Sequence, residues 1–136
     1  MKAILHPHVA HFSAIGTPWA VATSGRMRSA RPALDLLGVP PATPVITRDQ
    51  VSHAEPYPDL FLAAADQLGM EIIHSIVVDD SVWDMLAAGR ARALGVGLLS
   101  GGYGQDEFER AGAYFVYQDP ADLMRHQDEV GVRSAP

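Results

Sequence analysis

Residues Ile76 to Leu86 read Ile-Val-Val-Asp-Asp-Ser-Val-Trp-Asp-Met-Leu, and this stretch constrains the fold more than any other. Its three β-branched residues form an unbroken apolar run, the signature of a strand buried on both faces of a parallel sheet. Asp79 and Asp80 end the run, at the carboxyl end of the strand where open α/β sheets place their ligands. Ser81 is a helix cap, and the first turn of the helix that follows carries Asp84. Asp80 and Asp84 can then converge above the strand. Oxygen-only ligands at a strand end suit a hard cation such as Mg2+, with a phosphate completing its shell. The alternative is a solvated acidic turn in which Asp84 favours the helix N-terminus.

The flanking sequence repeats the same strand-then-helix pattern. Trp19–Thr23 reads as a strand ended by Ser24-Gly25. Arg28–Leu37 reads as a helix closed by Gly38, with Pro32 in its first turn and Ala30, Ala33, Leu34 and Leu37 on one face. Val45–Thr47 is a short strand, and residues 48–58 are a proline-broken loop. Asp59–Leu68 has Leu60, Phe61, Ala64 and Leu68 at helical spacing and stops at Gly69. Ser81–Leu94 is a helix closed by Gly95. Val96–Leu99 is a strand, followed by the glycine-rich loop 100–104. Gln105–Ala111 is a short helix closed by Gly112, Tyr114–Tyr117 a last strand, and Pro120–Arg125 the start of a last helix. Trp19 and Trp83 read as packing or edge-cover residues rather than a substrate platform. Regular alternation with short connections predicts βαβ crossovers on a mostly parallel sheet of about five strands, in a three-layer α/β/α sandwich of Rossmann-like type.

Composition removes several classes of function. There is no cysteine, so thiolate zinc sites and thiol nucleophiles are excluded. Formal net charge is −6, and Lys2 is the only lysine. Without a basic cluster there is no surface for nucleic acid. No apolar run approaches the roughly 20 residues of a membrane span, and the first residues carry no signal-peptide pattern. The expectation is a soluble cytoplasmic protein. With 136 residues and 48 % hydrophobic content, residues 1–136 are expected to form one domain, with 130–136 a frayed tail.

Four segments together resemble the haloacid dehalogenase-like (HAD-like) hydrolases, of phosphoglycolate-phosphatase and β-phosphoglucomutase type. Ala20-Val21-Ala22-Thr23-Ser24 resembles the family's second motif. Glu55-Pro56-Tyr57-Pro58-Asp59-Leu60-Phe61 resembles the third, Lys-Pro-x-Pro-Asp-x-Phe. Val78-Asp79-Asp80-Ser81-Val82-Trp83-Asp84 resembles the fourth, and Gly101-Gly102-Tyr103 lies in the loop after the next strand. Order and spacing agree from about Trp19 to about Val132. The resemblance implies phosphoryl transfer through an aspartyl nucleophile, which is positioning plus charge compensation. It makes Asp80, Asp84 and Asp79 the Mg2+ ligands, and Thr23, Ser24, Gly25 and Glu55 a vestigial phosphate site for a small phosphorylated ligand.

The sequence departs from the pattern at the chemistry. No Asp-x-Asp precedes the second motif; the first aspartate of the chain is Asp35. Either Met1–Leu5 is the usual first strand with Pro7 and Val9 where the two aspartates belong, or the first motif and the cap domain after it are missing. Glu55 replaces the lysine of the third motif. No residue is therefore assigned as catalytic, and the expectation is a catalytically impaired phosphatase relative; the alternatives are a phosphatase active only when a partner chain supplies the first motif, and a non-catalytic interaction module. Any Mg2+ affinity is expected to be weak, about millimolar, without substrate phosphate and a third well-placed carboxylate. His6 and His8 are companions to Asp80 in a transition-metal reading; a plain surface His-Pro-His turn is the simpler one. If the first strand is missing, two buried sheet edges need partners. Ala3–Leu5 can fill the gap, the two neighbouring strands can pair directly, or a homodimer or partner chain can supply the strand.

Overall fold

The computed structural model describes residues 18–36, 38–40 and 42–130. The candidate strand Ala3–Leu5, the histidines His6 and His8, and the expected tail beyond Val130 lie outside the described residues.

Among the described residues five strands and five α-helices alternate. They are β1 (Val21–Ala22), α1 (Met27–Leu36), β2 (Val45–Ile46), α2 (Asp59–Leu68), β3 (Ile76–Asp79), α3 (Val82–Ala91), β4 (Leu94–Leu98), α4 (Gln105–Arg110), β5 (Phe115–Tyr117) and α5 (Pro120–Arg125). Every strand pairing is parallel. β1 pairs with β2, with Val21 opposite Val45; β3 pairs with β4, with Val78 opposite Val96; and β4 pairs with β5, with Gly97 opposite Val116. β1 and β3 belong to separate ladders, so direct pairing of these two strands is corrected: the described strands leave that boundary open.

Alternation along the strands sorts the core onto two faces. Ala22, Ile46 and Val77 pack with Leu60, Phe61, Met85, Ala88 and Phe108, from α2, α3 and α4. On the other face Val78, Val96, Leu98 and Tyr117 meet Leu123 of α5, while Val21 meets Leu34 of α1 and Val39. Helices therefore cover both faces, which gives the α/β/α layering expected. Phe61, Phe108, Leu60 and Met85 are almost fully buried, each worth about 2 kcal/mol of apolar transfer.

The helices begin and end for local reasons. Ser81 caps α3, its Oγ accepting the Trp83 N–H at 3.2 Å, and Asp119 caps α5 by accepting the Asp122 N–H at 2.8 Å, with Pro120 in the first turn. Gly69 closes α2 with φ 65°. Three expectations are corrected. Helix α1 starts at Met27, so Pro32 lies beyond its first turn, and Ala33 is exposed. Helix α3 closes at Arg92, in the left-handed conformation at φ 67°, and Gly95 instead lies inside β4. Gly95 lies close under Met85: a β-carbon there would sit 2.8 Å from Met85 Sδ, so the thioether would have to shift. Trp19 packs beside Val21, Leu34 and Val39 as expected, but Trp83 is 54 % exposed, on the outward side of α3.

Candidate active site at the carboxyl end of β3

The apolar run Ile76–Val78 forms β3 because it is buried between the two helix layers, and the chain turns at Asp79-Asp80. Asp79 is 3 % exposed and Asp84 6 %; both carboxylates are held inside the protein, while Asp80 is half-buried. Asp79 Oδ1 accepts the Asp80 N–H at 2.7 Å. Burial pushes the Asp79 carboxyl up to about 6, and the adjacent Asp80 side chain adds to the rise, against the Asp80 N–H bond that lowers it. Asp84 occupies the third position of α3, where a carboxylate also faces the positive end of the helix. The expected cap at Ser81 and the expected placing of Asp84 in the first helical turn both hold.

The loop after β4 closes on the same point. Gly101 approaches Asp80 so closely that an added β-carbon would lie 2.7 Å from Asp80 Cβ and 2.8 Å from its Cγ. The sequence marked this loop as glycine-rich; its contact with Asp80 is visible only in three dimensions. Tyr103 packs edge-on against Phe108 at 6.0 Å between ring centres.

The other expected site residues are engaged locally. Thr23 Oγ1 accepts the Gly25 N–H at 3.1 Å, and the Gly25 carbonyl accepts the Arg48 N–H at 3.0 Å, which ties the turn after β1 to the end of β2. Ser24 is exposed. Glu55 is half-buried and precedes a cis peptide bond to Pro56. The Pro56 carbonyl accepts from Arg90 Nη1 at 3.0 Å, so an arginine of α3 anchors the segment beside Glu55. Sequence reasoning missed this role for Arg90, since the two positions are 34 residues apart. It also missed Asp49, which takes the Arg26 guanidinium at 2.7 Å and the Met27 N–H at 2.9 Å, fixing the start of α1. His53 lies in a loop, as expected, with its N–H and ring Nδ1 at 3.2 and 3.3 Å from Asp59 Oδ2.

A protein-family model described as haloacid dehalogenase-like hydrolase matches residues 4–92. The chain belongs to this family. Hexitol phosphatase A of Escherichia coli is 36 % identical over 84 residues, covering 60 % of this chain and 39 % of that protein. A hydrolase from Pseudomonas syringae is 45 % identical with a TM-score of 0.87, covering 93 % of this chain and 61 % of that one. A HAD family hydrolase from Deinococcus radiodurans, solved with bound phosphate and sodium, is 26 % identical with a TM-score of 0.81; 93 % of this chain and 59 % of that one are covered. This HAD-like chain thus spans about two fifths to three fifths of the length of these relatives.

Membership makes Mg2+ the group to test against these residues. The donor chemistry fits, because Asp79, Asp80 and Asp84 offer only hard oxygen ligands. Convergence is weaker: among the described residues no three His, Asp or Glu side chains are grouped closely enough to hold a metal ion. The same residues contain no helix long and apolar enough to cross a membrane.

Proposed function

We propose that this chain is a phosphatase-type HAD-like protein that keeps the acidic strand end of the family but does not turn over phosphomonoesters by itself. One observation carries the proposal: buried Asp79 and Asp84 flank Asp80 at the end of β3, while the 136 residues hold no aspartate before Asp35 and carry Glu55 at the lysine position. The three carboxylates and Glu55 supply anions, and phosphoryl transfer needs a nucleophile plus cations that offset the charge of the phosphoryl oxygens. Asp80 and Asp84, with Asp79 behind them, would hold Mg2+ weakly. The cation, when bound, supplies charge neutralisation for a small phosphorylated ligand. Thr23, Ser24 and Gly25 would sit at the phosphate position, with the Thr23 hydroxyl already committed to the turn.

The test is hydrolysis of a generic aryl phosphate by the pure chain with Mg2+, beside Asp80→Asn. No turnover above the buffer rate is expected. Turnover that Asp80→Asn abolishes refutes the proposal.

A second reading starts from the boundary between β1 and β3, which no described strand of the chain fills. A strand from another polypeptide, or from a second copy, would add there and bring an Asp-x-Asp with it. Co-purification of such a partner, with phosphatase activity appearing only in the complex, supports this reading; a lone monomer that stays inactive beside a synthetic Asp-x-Asp strand peptide counts against it.

A further inference from the structure

Because β3, β4 and β5 are parallel, their amino ends lie together, at the end of the sheet opposite Asp79 and Asp80. Three large apolar side chains, Ile73, Leu94 and Tyr114, are each 44–63 % exposed there. Ile73 lies in the single turn before β3, and hydrogen bonds join the segments that carry the other two. The Leu94 N–H donates to the Ser75 carbonyl at 3.1 Å, and the Tyr114 N–H donates to the Gly95 carbonyl at 2.7 Å. Beside them runs a groove of about 260 Å³ lined by Ile76, Leu94, Tyr114, Phe115 and Val130, with Glu129. Single exposed apolar side chains are ordinary, but an adjacent set beside an apolar groove marks a contact surface.

Charge at this end is divided between the two faces of the sheet. Helices α3 and α4, which cover one face, close at Arg92 and Arg110. The turn Gln127–Val130, on the other face, carries Asp128 and Glu129. Arg92, Arg110 and Asp128 form no ion pair with another described residue, and Glu129 accepts the neutral Tyr117 hydroxyl. Other charged groups nearby are engaged. Glu71 lies 3.8 Å from His74, Glu109 accepts from Gln105 at 3.1 Å, and Arg125 and His126 lie 3.4 and 3.3 Å from Asp122.

We propose that this end of the sheet binds a second copy of this chain, in a twofold dimer joined amino end to amino end. Such a contact uses one patch that complements itself. A twofold axis running across the strands, in the plane of the sheet, sets the two amino ends against each other and exchanges the faces. Arg92 and Arg110 of each copy then meet the acidic turn of the other. Ile73, Leu94 and Tyr114 form the dry centre, with Leu94 nearest the axis because β4 is the middle strand. An axis along the sheet normal would instead set arginine against arginine, so charge selects the first orientation.

The experiment is sedimentation equilibrium of the full chain beside its variants. The parent is expected to dimerise, and Leu94→Glu, which sets like charges across the axis, to weaken the dimer about tenfold or more. Leu36→Glu is the control: Leu36 is exposed on α1, the helix packed on β1, and its loss should leave the dimer intact. Two charge-altered chains test the orientation. One carries Arg92→Glu and Arg110→Glu; the other carries Asp128→Arg and Glu129→Gln, which keeps an acceptor for Tyr117. Each alone is expected to lose self-association, and their equimolar mixture to recover it. That recovery also shows that both variants fold. A monomeric parent overturns the proposal and leaves the face to a different polypeptide. A dimer that Leu94→Glu leaves intact overturns it too, since a dimer formed at the boundary between β1 and β3 would behave in that way. A mixture of the charge-altered chains that stays monomeric overturns it as well.

Discussion

The ring of Phe108 lies directly on the backbone of Gly97: a β-carbon on Gly97 would meet Phe108 Cδ1 at 2.6 Å and Cγ at 2.8 Å. This contact seats α4 on the middle strand of the β3–β4–β5 sheet. Gly97→Ala is expected to destabilise the fold by about 1–3 kcal/mol through overpacking, and Phe108→Ala by about 3–5 kcal/mol through the cavity it leaves. Urea unfolding measures both. Gly89→Ala is the control of opposite sign. Gly89 lies inside α3 with nothing within 4 Å of its would-be β-carbon, so alanine there stabilises by about 0.5–1 kcal/mol. A neutral Gly97→Ala would show that α4 can retreat from the sheet.

Stability should fall as pH rises from about 4 to 6. The cause is Asp79, whose carboxyl is pushed up to about 6 by burial, against about 3.9 in an unfolded chain. Between those values the folded state binds the extra proton, so raising the pH favours unfolding. The loss is complete above about pH 6 and amounts to at most about 3 kcal/mol. Asp79→Asn removes the titrating group and keeps an oxygen for the Asp80 N–H, so its stability is expected to be flat over the same range. Parallel pH profiles for the two proteins would exclude Asp79 as the source.

Tyr117 closes the other face of the sheet. Its hydroxyl donates to Glu129 Oε2 at 2.8 Å, and its ring stacks on His126 at 5.8 Å. Burial first, then the Glu129 carboxylate, push the phenol up to about 12. In an ultraviolet titration the phenol of Tyr117 should ionise well above pH 10, and Glu129→Gln should bring it down. Tyr117→Phe is expected to cost about 1–2 kcal/mol, the worth of a hydrogen bond to a charged acceptor left unmade.

Calorimetric titration with Mg2+ should give a dissociation constant of about a millimolar or weaker, as expected where carboxylates bind without substrate phosphate. Asp80→Asn is expected to abolish the residual heat. Submicromolar binding would contradict the reading of an incomplete site.

Much of this architecture was legible in the chain. Asp59–Leu68 forms a helix over the residues its spacing indicates, because Leu60, Phe61 and Ala64 all reach the core and Gly69 ends it. Ser81 caps α3 as its position before an apolar run suggests. Gly95 was misread as a helix stop because a glycine after a helix and a glycine under a methionine look alike in one dimension. The acidic end of β3 was legible as a position, since Asp79 and Asp80 close the β-branched run and Ser81 opens the next helix. Its companions were not: Arg90 reaches Pro56, and Gly101 reaches Asp80, across 34 and 21 residues of chain.

The sequence by itself determined the α/β class, the family and the position of the three acids, because periodicity, caps and motif order are local properties that a chain carries wherever it folds. Tertiary structure alone decided which acids are buried, that β1 and β3 lie in separate ladders, and that Gly101 walls Asp80. Burial, pairing and close approach depend on what distant segments bring to the same place, and no local pattern encodes that distance.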